Sequence, residues 1–270
     1  MPKKTILITG STDGLGLLTA KTLAKQGHTI LLHGRSLSKL DSAKAQLGDG
    51  TIGFIADLSH LSQVDGLANE ISSEHDRIDV LINNAGVLSA PSSRTKDGLD
   101  IRFAVNTLAP YILAKKLLPL IPKDGRIINV TSASQAPIDM DLLKGKKEVA
   151  NTDETGSYEA YEQSKLAILI WSQSMAKDLP DGPVIVPVNP GSYLASKMVT
   201  EHGIEGQPLQ VGADILTRAS LDDEFASASG KYYDNDAKCF NEAHEASRDE
   251  EHCTLLMKSI EEITKVFLGK

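Results

Sequence analysis

Short apolar runs alternate with helical segments along most of the 270-residue chain, and this alternation constrains the fold more than any other feature. Each run is nearly continuous in apolar residues, which is typical of strands covered on both faces. Strands that alternate with helices form right-handed parallel units. The sequence therefore predicts an α/β fold with a doubly wound parallel sheet and helices on both faces. The predicted strands are Thr5–Thr9, Thr29–His33, Ile52–Ala56, Ile78–Asn83, Arg126–Val130 and Val184–Val188.

Three features interrupt this rhythm. Pro187 falls inside the sixth run, so we expect part of that run to leave the strand or to lie at its end. The polar residues 136–156 predict an inserted loop over the carboxyl edge of the sheet. Residues 192–206, rich in Gly and Ser, predict a lid, with a plain surface loop as the alternative. Since no linker divides the chain, we expect residues 1–270 to form one domain.

The charge and the cysteines exclude several classes of function. The net charge of −8 argues against non-specific binding to nucleic acid or to an anionic membrane, because both need a basic surface. The apolar stretch after Lys3 and Lys4 is too short for a signal segment, and no later run is long enough to span a membrane. Cys239 and Cys253 fit neither a metal motif nor a disulfide framework, so we expect free thiols. These features predict a cytoplasmic protein that binds a small molecule.

The stretch "TGSTDGLG", residues 9 to 16, joins the first predicted strand to a helix. Glycine there allows a sharp turn and a close approach of the backbone to a ligand. The N-terminus of the following helix offers free N–H groups and a positive dipole end to a pyrophosphate. The spacing is neither the general dinucleotide fingerprint nor a Walker loop. A nucleotide site is favoured over a plain turn, with contacts at Gly10, Ser11, Thr12, Gly14, Leu15 and Gly16.

The second predicted strand ends in "HGRS", where NAD enzymes often place an acid that holds the ribose 2′-hydroxyl. Gly34 occupies that place here, and Arg35 beside it suits a 2′-phosphate. The sequence therefore favours NADP(H) over NAD(H). Two observations argue against this. Asp13 lies in the glycine loop, residues 9–16, and would repel a nearby phosphate, and Arg35 could instead be a solvated surface charge.

Tyr161 and Lys165 lie four residues apart on a predicted helix, so their side chains share a face. An ammonium beside a phenol lowers the phenol pKa from its usual value of about 10, which allows proton exchange with an alcohol or carbonyl. Tyr158 has Glu162 at the same offset, and a carboxylate would raise its pKa. Tyr161 is therefore the catalytic candidate, with an ordinary helix contact as the alternative.

Five motifs occur in an order and spacing that resemble the short-chain dehydrogenase/reductase family. They are "TGSTDGLG", "NNAG" at 83–86, "NVTS" at 129–132, "YEQSK" at 161–165 and "NPG" at 189–191. The resemblance covers nearly the whole chain and implies a Rossmann-type fold. It also implies that Tyr161 is the general acid/base and that Lys165 lowers its pKa and holds the nicotinamide ribose. Ser132 would bind the substrate oxygen, with Ser134 as a rival, and Asn106 would hold a water in a proton relay.

The resemblance further implies cofactor contacts outside the glycine loop. Asp57 would receive the adenine amino group, although it could instead cap the next helix. The Asn and Gly residues of "NNAG" could mainly shape the end of a strand. Where the family usually has a Thr after "NPG", this chain departs, and Ser196 is the nearest substitute. The implied contacts are Asp57, Leu58, Asn84, Ala85, Gly86, Pro190 and Gly191.

The long interval between Ser132 and Tyr161 and the C-terminal sequence are similar to the retinol-dehydrogenase-like branch of the family. We therefore predict an NAD(P)-dependent oxidoreductase that interconverts a hydrophobic aldehyde or ketone and an alcohol. The alternative is a protein that senses NADP(H) without turnover, although such members typically lack the Tyr/Lys pair. A serine hydrolase is excluded because no Gly-x-Ser-x-Gly motif is present. The family implies a homodimer or homotetramer.

Overall fold

The computed structural model describes residues 2–48, 50–150, 153–201 and 203–269. Its strands are β1 (Thr5–Ile8), β2 (Thr29–Gly34), β3 (Ile52–Ile55), β4 (Val80–Asn83), β5 (Arg126–Val130), β6 (Val184–Asn189), β7 (Tyr232–Asp234) and β8 (Cys239–Asn241). They form a single sheet in the order β3-β2-β1-β4-β5-β6-β7-β8. All neighbours pair in parallel except β8, which runs antiparallel to β7. The predicted doubly wound α/β fold is confirmed.

Helices cover both faces of this sheet. They are α1 (Gly14–Lys25), α2 (Leu37–Leu47), α3 (Leu61–Glu74), α4 (Ile101–Phe103), α5 (Ala109–Leu117), α6 (Met140–Leu143), α7 (Glu154–Asp178), α8 (Lys197–Thr200), α9 (Leu209–Leu221) and α10 (Glu250–Leu268). A π-helical turn, Ala104–Leu108, joins α4 to α5. No helix in the described ranges is both long and apolar enough to cross a bilayer.

The continuous apolar runs follow from two cores, one on each side of the sheet. Along β1, Leu7 enters one core while Ile6 and Ile8 enter the other. Strand β4 behaves alike, since Leu81 points to the first core and Ile82 to the second. Because successive side chains alternate between faces, a strand buried on both faces is apolar at most of its positions. Helices α3, α5, α7 and α10 cover the first core, and α1, α2 and α9 cover the second.

The sequence prediction missed β7 and β8 and misplaced Pro187. Each missed strand has only three residues, too few to show a period. Pro187 lies inside β6, opposite Asn129 of β5. Ile185, two residues earlier, donates its N–H to the Ser229 hydroxyl on the β7 side (3.2 Å). Backbone groups two residues apart in a strand point to the same side, so the Pro187 nitrogen also faces β7. The ladder to β7 begins only at Val188, so the missing proline N–H removes no strand pairing.

The predicted insertion and the predicted lid both contain helical structure. Residues 151 and 152 of the insertion and residue 202 of the lid lie outside the described ranges. The insertion contains α6 and the first residues of α7, and it contributes buried Ile138, Leu142 and Leu143 to the first core. The lid segment contains α8, with Ser196 as its N-cap residue. The Ala195 N–H donates to the Gln207 carbonyl oxygen and the Gln207 N–H donates to the Tyr193 carbonyl oxygen (both 2.7 Å), which holds the start of the segment against the residue that follows it. Its function as a lid stays a prediction.

Candidate active site

A cavity of about 1220 Å³ opens at the carboxyl ends of the parallel strands, where open α/β sheets bind their ligands. One half is formed by the glycine loop and the ends of β2 and β3. The other half is formed by the start of α7, the segment after β5 and residues 189–200. Every predicted site residue lines this cavity except Ser11 and Asn106.

The glycine loop has close backbone contacts that side chains would prevent. Gly10 has a φ of +63°, and a Cβ there would lie 3.0 Å from the Ala85 Cα. A Cβ on Gly16 would lie 2.4 Å from the Gly10 carbonyl oxygen. The side-chain amide of Asn84 donates to the carbonyl oxygens of Thr9 (2.9 Å) and Gly10 (3.2 Å). Asn84 therefore shapes the loop, in agreement with the structural alternative considered for "NNAG", and it also faces the cavity.

Ser11 supports the glycine loop from below, and its predicted contact with the cofactor stays a prediction. Its side chain is fully buried beneath the loop. The hydroxyl donates to the Ile8 carbonyl oxygen (2.8 Å) and accepts from the His33 N–H (3.0 Å). Ser11 fastens the glycine loop to β1 and β2, and it does not line the cavity.

His33 at the floor of the cavity supports the same loop, and sequence reasoning missed it. Its Nδ1 accepts from the Gly10 N–H (3.1 Å), and its Nε2 lies 3.1 Å from the Ala56 carbonyl oxygen. This arrangement requires the neutral ring with its proton on Nε2. Burial lowers the pKa of His33 to about 4, so the neutral form persists near pH 7. The imidazole thus connects the ends of β1, β2 and β3.

The end of β2 packs closely against the glycine loop. A Cβ on Gly34 would lie 2.4 Å from the Thr12 methyl carbon, so a side chain at this position would require the Thr12 side chain to move. Arg35 is exposed at the cavity wall and makes no hydrogen bond or ion pair with another described residue. A guanidinium is therefore available where a 2′-phosphate is expected.

Asp13 does not present a free charge to the cavity. Its carboxylate forms ion pairs with Lys39 (3.0 Å) and with Lys197 of α8 (3.0 Å), and it accepts from the Gly14 N–H (2.9 Å). The hydrogen bond from Lys39, followed by the one from Lys197, lowers the pKa of Asp13 to about 2. The two lysines offset the repulsion of a phosphate that the sequence predicted for Asp13.

Asp57 lies at the cavity end of β3 and forms a tight turn with its neighbours. Its carboxylate accepts from the Ser59 N–H (3.0 Å), whereas α3 begins later, with His60 as its N-cap. Burial alone would raise the pKa of Asp57, but the hydrogen bonds from Ser59 outweigh it and lower the pKa. The carboxylate is ionised at neutral pH and lines the cavity together with Leu58.

The predicted catalytic residues meet on the other side of the cavity. Lys165 is only 3% exposed, and its Nζ lies 5.7 Å from the centre of the Tyr161 ring. The ammonium donates to the Val130 carbonyl oxygen at the end of β5 (2.8 Å). The Ser132 side chain acts on the Tyr161 phenol and lowers its pKa. Ser134 instead bonds the Tyr158 hydroxyl (2.9 Å), which favours Ser132 as the partner of Tyr161.

The expected lowering of the phenol pKa is wrong for the protein in this state. Burial raises the pKa of Tyr161 to about 12, and the Ser132 side chain opposes this only in part. The negative charge of Glu162 raises the pKa further. Burial also lowers the pKa of Lys165 to about 8. Desolvation disfavours both charged groups, since the Lys165 ammonium is directed to a carbonyl and not to the phenol oxygen.

The Asn106 side chain is fully occupied and does not reach the cavity. Its Oδ1 accepts from the Val87 N–H (2.8 Å), and its Nδ2 donates to the Val87 carbonyl (2.9 Å) and the Ser164 hydroxyl (2.9 Å). Asn106 lies in the π-helical turn, which positions its side chain against α7. The side chain therefore connects the segment after β4 to α7, and the predicted water contact stays a prediction.

The turn after β6 is held by a carboxylate that the sequence did not reveal. The Asn189 amide donates to Asp234 (2.8 Å) and to Asp236 (2.9 Å), and its oxygen accepts from the Gly191 N–H (3.1 Å). Asp236 also accepts from the N–H and the hydroxyl of Ser192 (2.9 and 2.6 Å). The missed hairpin β7–β8 thus fixes Gly191 at the cavity wall.

Comparisons with known proteins agree with this fold. The family model described as short chain dehydrogenase matches residues 4–139. Retinol dehydrogenase 13 of Homo sapiens is 30% identical over 259 residues, which cover 87% of this chain and 77% of that protein. The chain therefore belongs to the short-chain dehydrogenase/reductase family of oxidoreductases, in its retinol-dehydrogenase-like branch.

Two crystal structures share the fold. An uncharacterized protein from Mycobacterium Paratuberculosis superposes with a TM-score of 0.79 at 25% identity, covering 98% of this chain and 96% of that one. A short chain dehydrogenase from Shigella flexneri 2a str. 301 complexed with NADP superposes with a TM-score of 0.68 at 25% identity, covering 87% of this chain and 98% of that one.

Proposed function

We propose that the protein is an NADP(H)-dependent oxidoreductase that interconverts a hydrophobic aldehyde or ketone and the corresponding alcohol. The observation that carries this proposal is the meeting of Ser132, Tyr161 and Lys165 at one cavity, the other half of which is the glycine loop. A phenol, a hydroxyl and a buried ammonium are the groups that proton transfer to a carbonyl oxygen requires.

The residues of the cavity fit a dinucleotide. Gly10 and Gly16 bring bare backbone to the wall, and the N-terminus of α1 supplies N–H groups for a pyrophosphate. Asp57 and Leu58 line the end suited to an adenine, while Pro190 and Gly191 line the end beside Lys165. When bound, the nicotinamide supplies or accepts the hydride.

Within this proposal, Tyr161 is protonated at neutral pH because burial raises its pKa to about 12. It is therefore ready to donate a proton to a carbonyl oxygen during reduction, and Ser132 holds that oxygen through its hydroxyl. The phenolate that results lies near the Lys165 ammonium, whose positive charge stabilises it. Lys165 thus acts on the product of the proton transfer more than on the resting phenol.

The preference for NADP(H) rests on the end of β2. A side chain at Gly34 would have to displace that of Thr12, and the Arg35 guanidinium makes no hydrogen bond or ion pair with another described residue. We expect Arg35→Asp to weaken NADPH binding by more than about 10-fold and NADH binding little, since a charge-assisted contact to phosphate is lost. Fluorescence titration with both cofactors measures this, with Arg248→Asp as a control at an exposed arginine that does not line the cavity. An equal loss for both cofactors would remove the basis for the preference.

The substrate end of the cavity is mostly apolar, which supports a hydrophobic carbonyl compound. Steady NADPH oxidation with a panel of hydrophobic aldehydes and ketones tests turnover. No turnover on a broad panel, combined with tight NADPH binding, would favour the NADP(H)-sensing alternative. A cytoplasmic location, a single domain and a homodimer or homotetramer stay predictions. The apolar lining includes Leu88, Met198, Val199 and Ile204.

A further inference from the structure

A second serine–tyrosine pair lies beside the catalytic one. Ser134 and Tyr158 bond through their hydroxyls (2.9 Å), and both line the cavity. The Tyr158 ring stacks on the Tyr161 ring, with 6.3 Å between the centroids and 29° between the planes. The Ser134 N–H also donates to the Ser132 hydroxyl oxygen (3.1 Å), so the two serines are held together. The cavity therefore presents two parallel hydroxyl pairs, separated by one helical turn.

The second pair has hydrogen-bonding capacity left over. Two hydroxyls carry two hydrogens, and only one of these can lie between the two oxygens. The other O–H points elsewhere, and neither hydroxyl has a further partner among the residues that the structure describes. Tyr158 is 42% exposed, so a ligand in the cavity can reach the pair without moving the fold. One donor and several lone pairs are thus available to a ligand oxygen.

We propose that Ser134 and Tyr158 bind a second oxygen of the substrate, while Ser132 and Tyr161 act on the carbonyl. This inference rests on the proposed function, because it assigns the substrate class of the same site. The substrate is then an apolar carbonyl compound with a hydroxyl or second carbonyl a few bonds from the reacting carbon. A site built to hydrogen-bond a substrate oxygen discriminates against analogues that lack it, since its own polar groups are left unpaired.

The competing explanation is structural: the pair ties the segment after β5 to α7 and contacts no substrate. The two explanations differ in what Tyr158→Phe does. Phenylalanine keeps the ring that stacks on Tyr161 and removes only the hydroxyl. If the pair is purely structural, loss of the Tyr158 hydroxyl affects turnover of all substrates alike. If the pair contacts the substrate, the loss affects only substrates with the second oxygen.

The test compares two matched ketones, 1-phenylpropan-1-one and 1-phenylpropane-1,2-dione, with NADPH. We expect Tyr158→Phe and Ser134→Ala each to lower kcat/KM for the dione roughly 10-fold more than for the monoketone, the usual effect of one lost hydrogen bond. Tyr193→Phe is the matched control, since it removes a hydroxyl from the same cavity with no described partner. NADPH affinity, titrated by fluorescence, should be unchanged in all three variants.

An equal loss on both ketones, or no loss on either, would overturn the inference and leave the proposed function intact. The inference would also be wrong if Tyr193→Phe had the same selective effect as Tyr158→Phe. Failure of the wild-type protein to reduce either ketone, or any member of the wider panel, would overturn the proposed function and this inference with it.

Discussion

Lys165 keeps a positive charge in a place where burial opposes it. The side chain is 3% exposed, and burial lowers its pKa to about 8. Its one hydrogen-bond acceptor among the described residues is the Val130 carbonyl. The charge is therefore maintained only below about pH 8. In the proposed reaction that charge stabilises the Tyr161 phenolate, so loss of the proton from Lys165 should slow the chemistry.

This predicts a fall in kcat/KM for carbonyl reduction as the pH rises through about 8. Ionisation of Tyr161 causes no such fall in kcat/KM, because its pKa of about 12 keeps the phenol protonated. The measurement is a pH–rate profile of NADPH oxidation from pH 6 to 10 on one substrate. In Lys165→Arg, whose guanidinium stays ionised over this range, the fall in kcat/KM should move to higher pH. A wild-type profile that stays flat beyond pH 9 would contradict the role of Lys165.

At the scale of single residues, the spacing of Tyr161 and Lys165 predicted that their side chains share a face, because two residues four apart on a helix lie on the same side. The direction of the pKa shift was not predictable, since it depends on how deeply the rest of the fold buries the pair. The close packing of Thr12 against Gly34 was equally unpredictable, because it joins the glycine loop to the end of β2 and no local pattern encodes it.

Among the elements, the hairpin β7–β8 both completes the sheet and supports the turn after β6. Its carboxylates accept hydrogen bonds from Asn189 and Ser192, on either side of the turn that lines the cavity. The turn includes Gly191, whose φ of +121° is a conformation that other residues rarely adopt. Asp236 takes three of these hydrogen bonds and is the main support of the turn.

We expect Asp236→Ala to weaken NADPH binding several-fold and to lower the free energy of unfolding by about 1–3 kcal/mol, because it leaves three donors without their acceptor. Fluorescence titration and urea unfolding measure the two effects. Asp124→Ala, which removes an exposed carboxylate distant from the cavity, is the control and should change neither. Unchanged NADPH affinity in Asp236→Ala would show that the turn does not depend on the hairpin.

The six longer strands were predictable because burial on both faces gives each an unbroken apolar run. The three-residue strands were not, since "YYD" and "CFN" are too short to show a period and become strands only by pairing with β6 and each other. The insertion was misjudged for a related reason: its polar residues conceal Ile138, Leu142 and Leu143, which lie in the core.

Across the whole molecule, the cavity is built from segments far apart in the chain. Asp13 of the glycine loop pairs with Lys197 of α8, which closes one side of the cavity across 184 residues of sequence. The order of the motifs predicted that these segments meet at one edge of the sheet. The pairing of individual charges was not predictable, because it depends on the path of the segment after β6.

The most direct test of the account is the turnover of Tyr161→Phe, measured as NADPH oxidation alongside NADPH binding. The account predicts a fall in kcat/KM of roughly 100-fold or more, the usual contribution of a general acid, with NADPH affinity within about threefold of the wild type. Turnover close to that of the wild type would show that another group delivers the proton and would contradict the central claim.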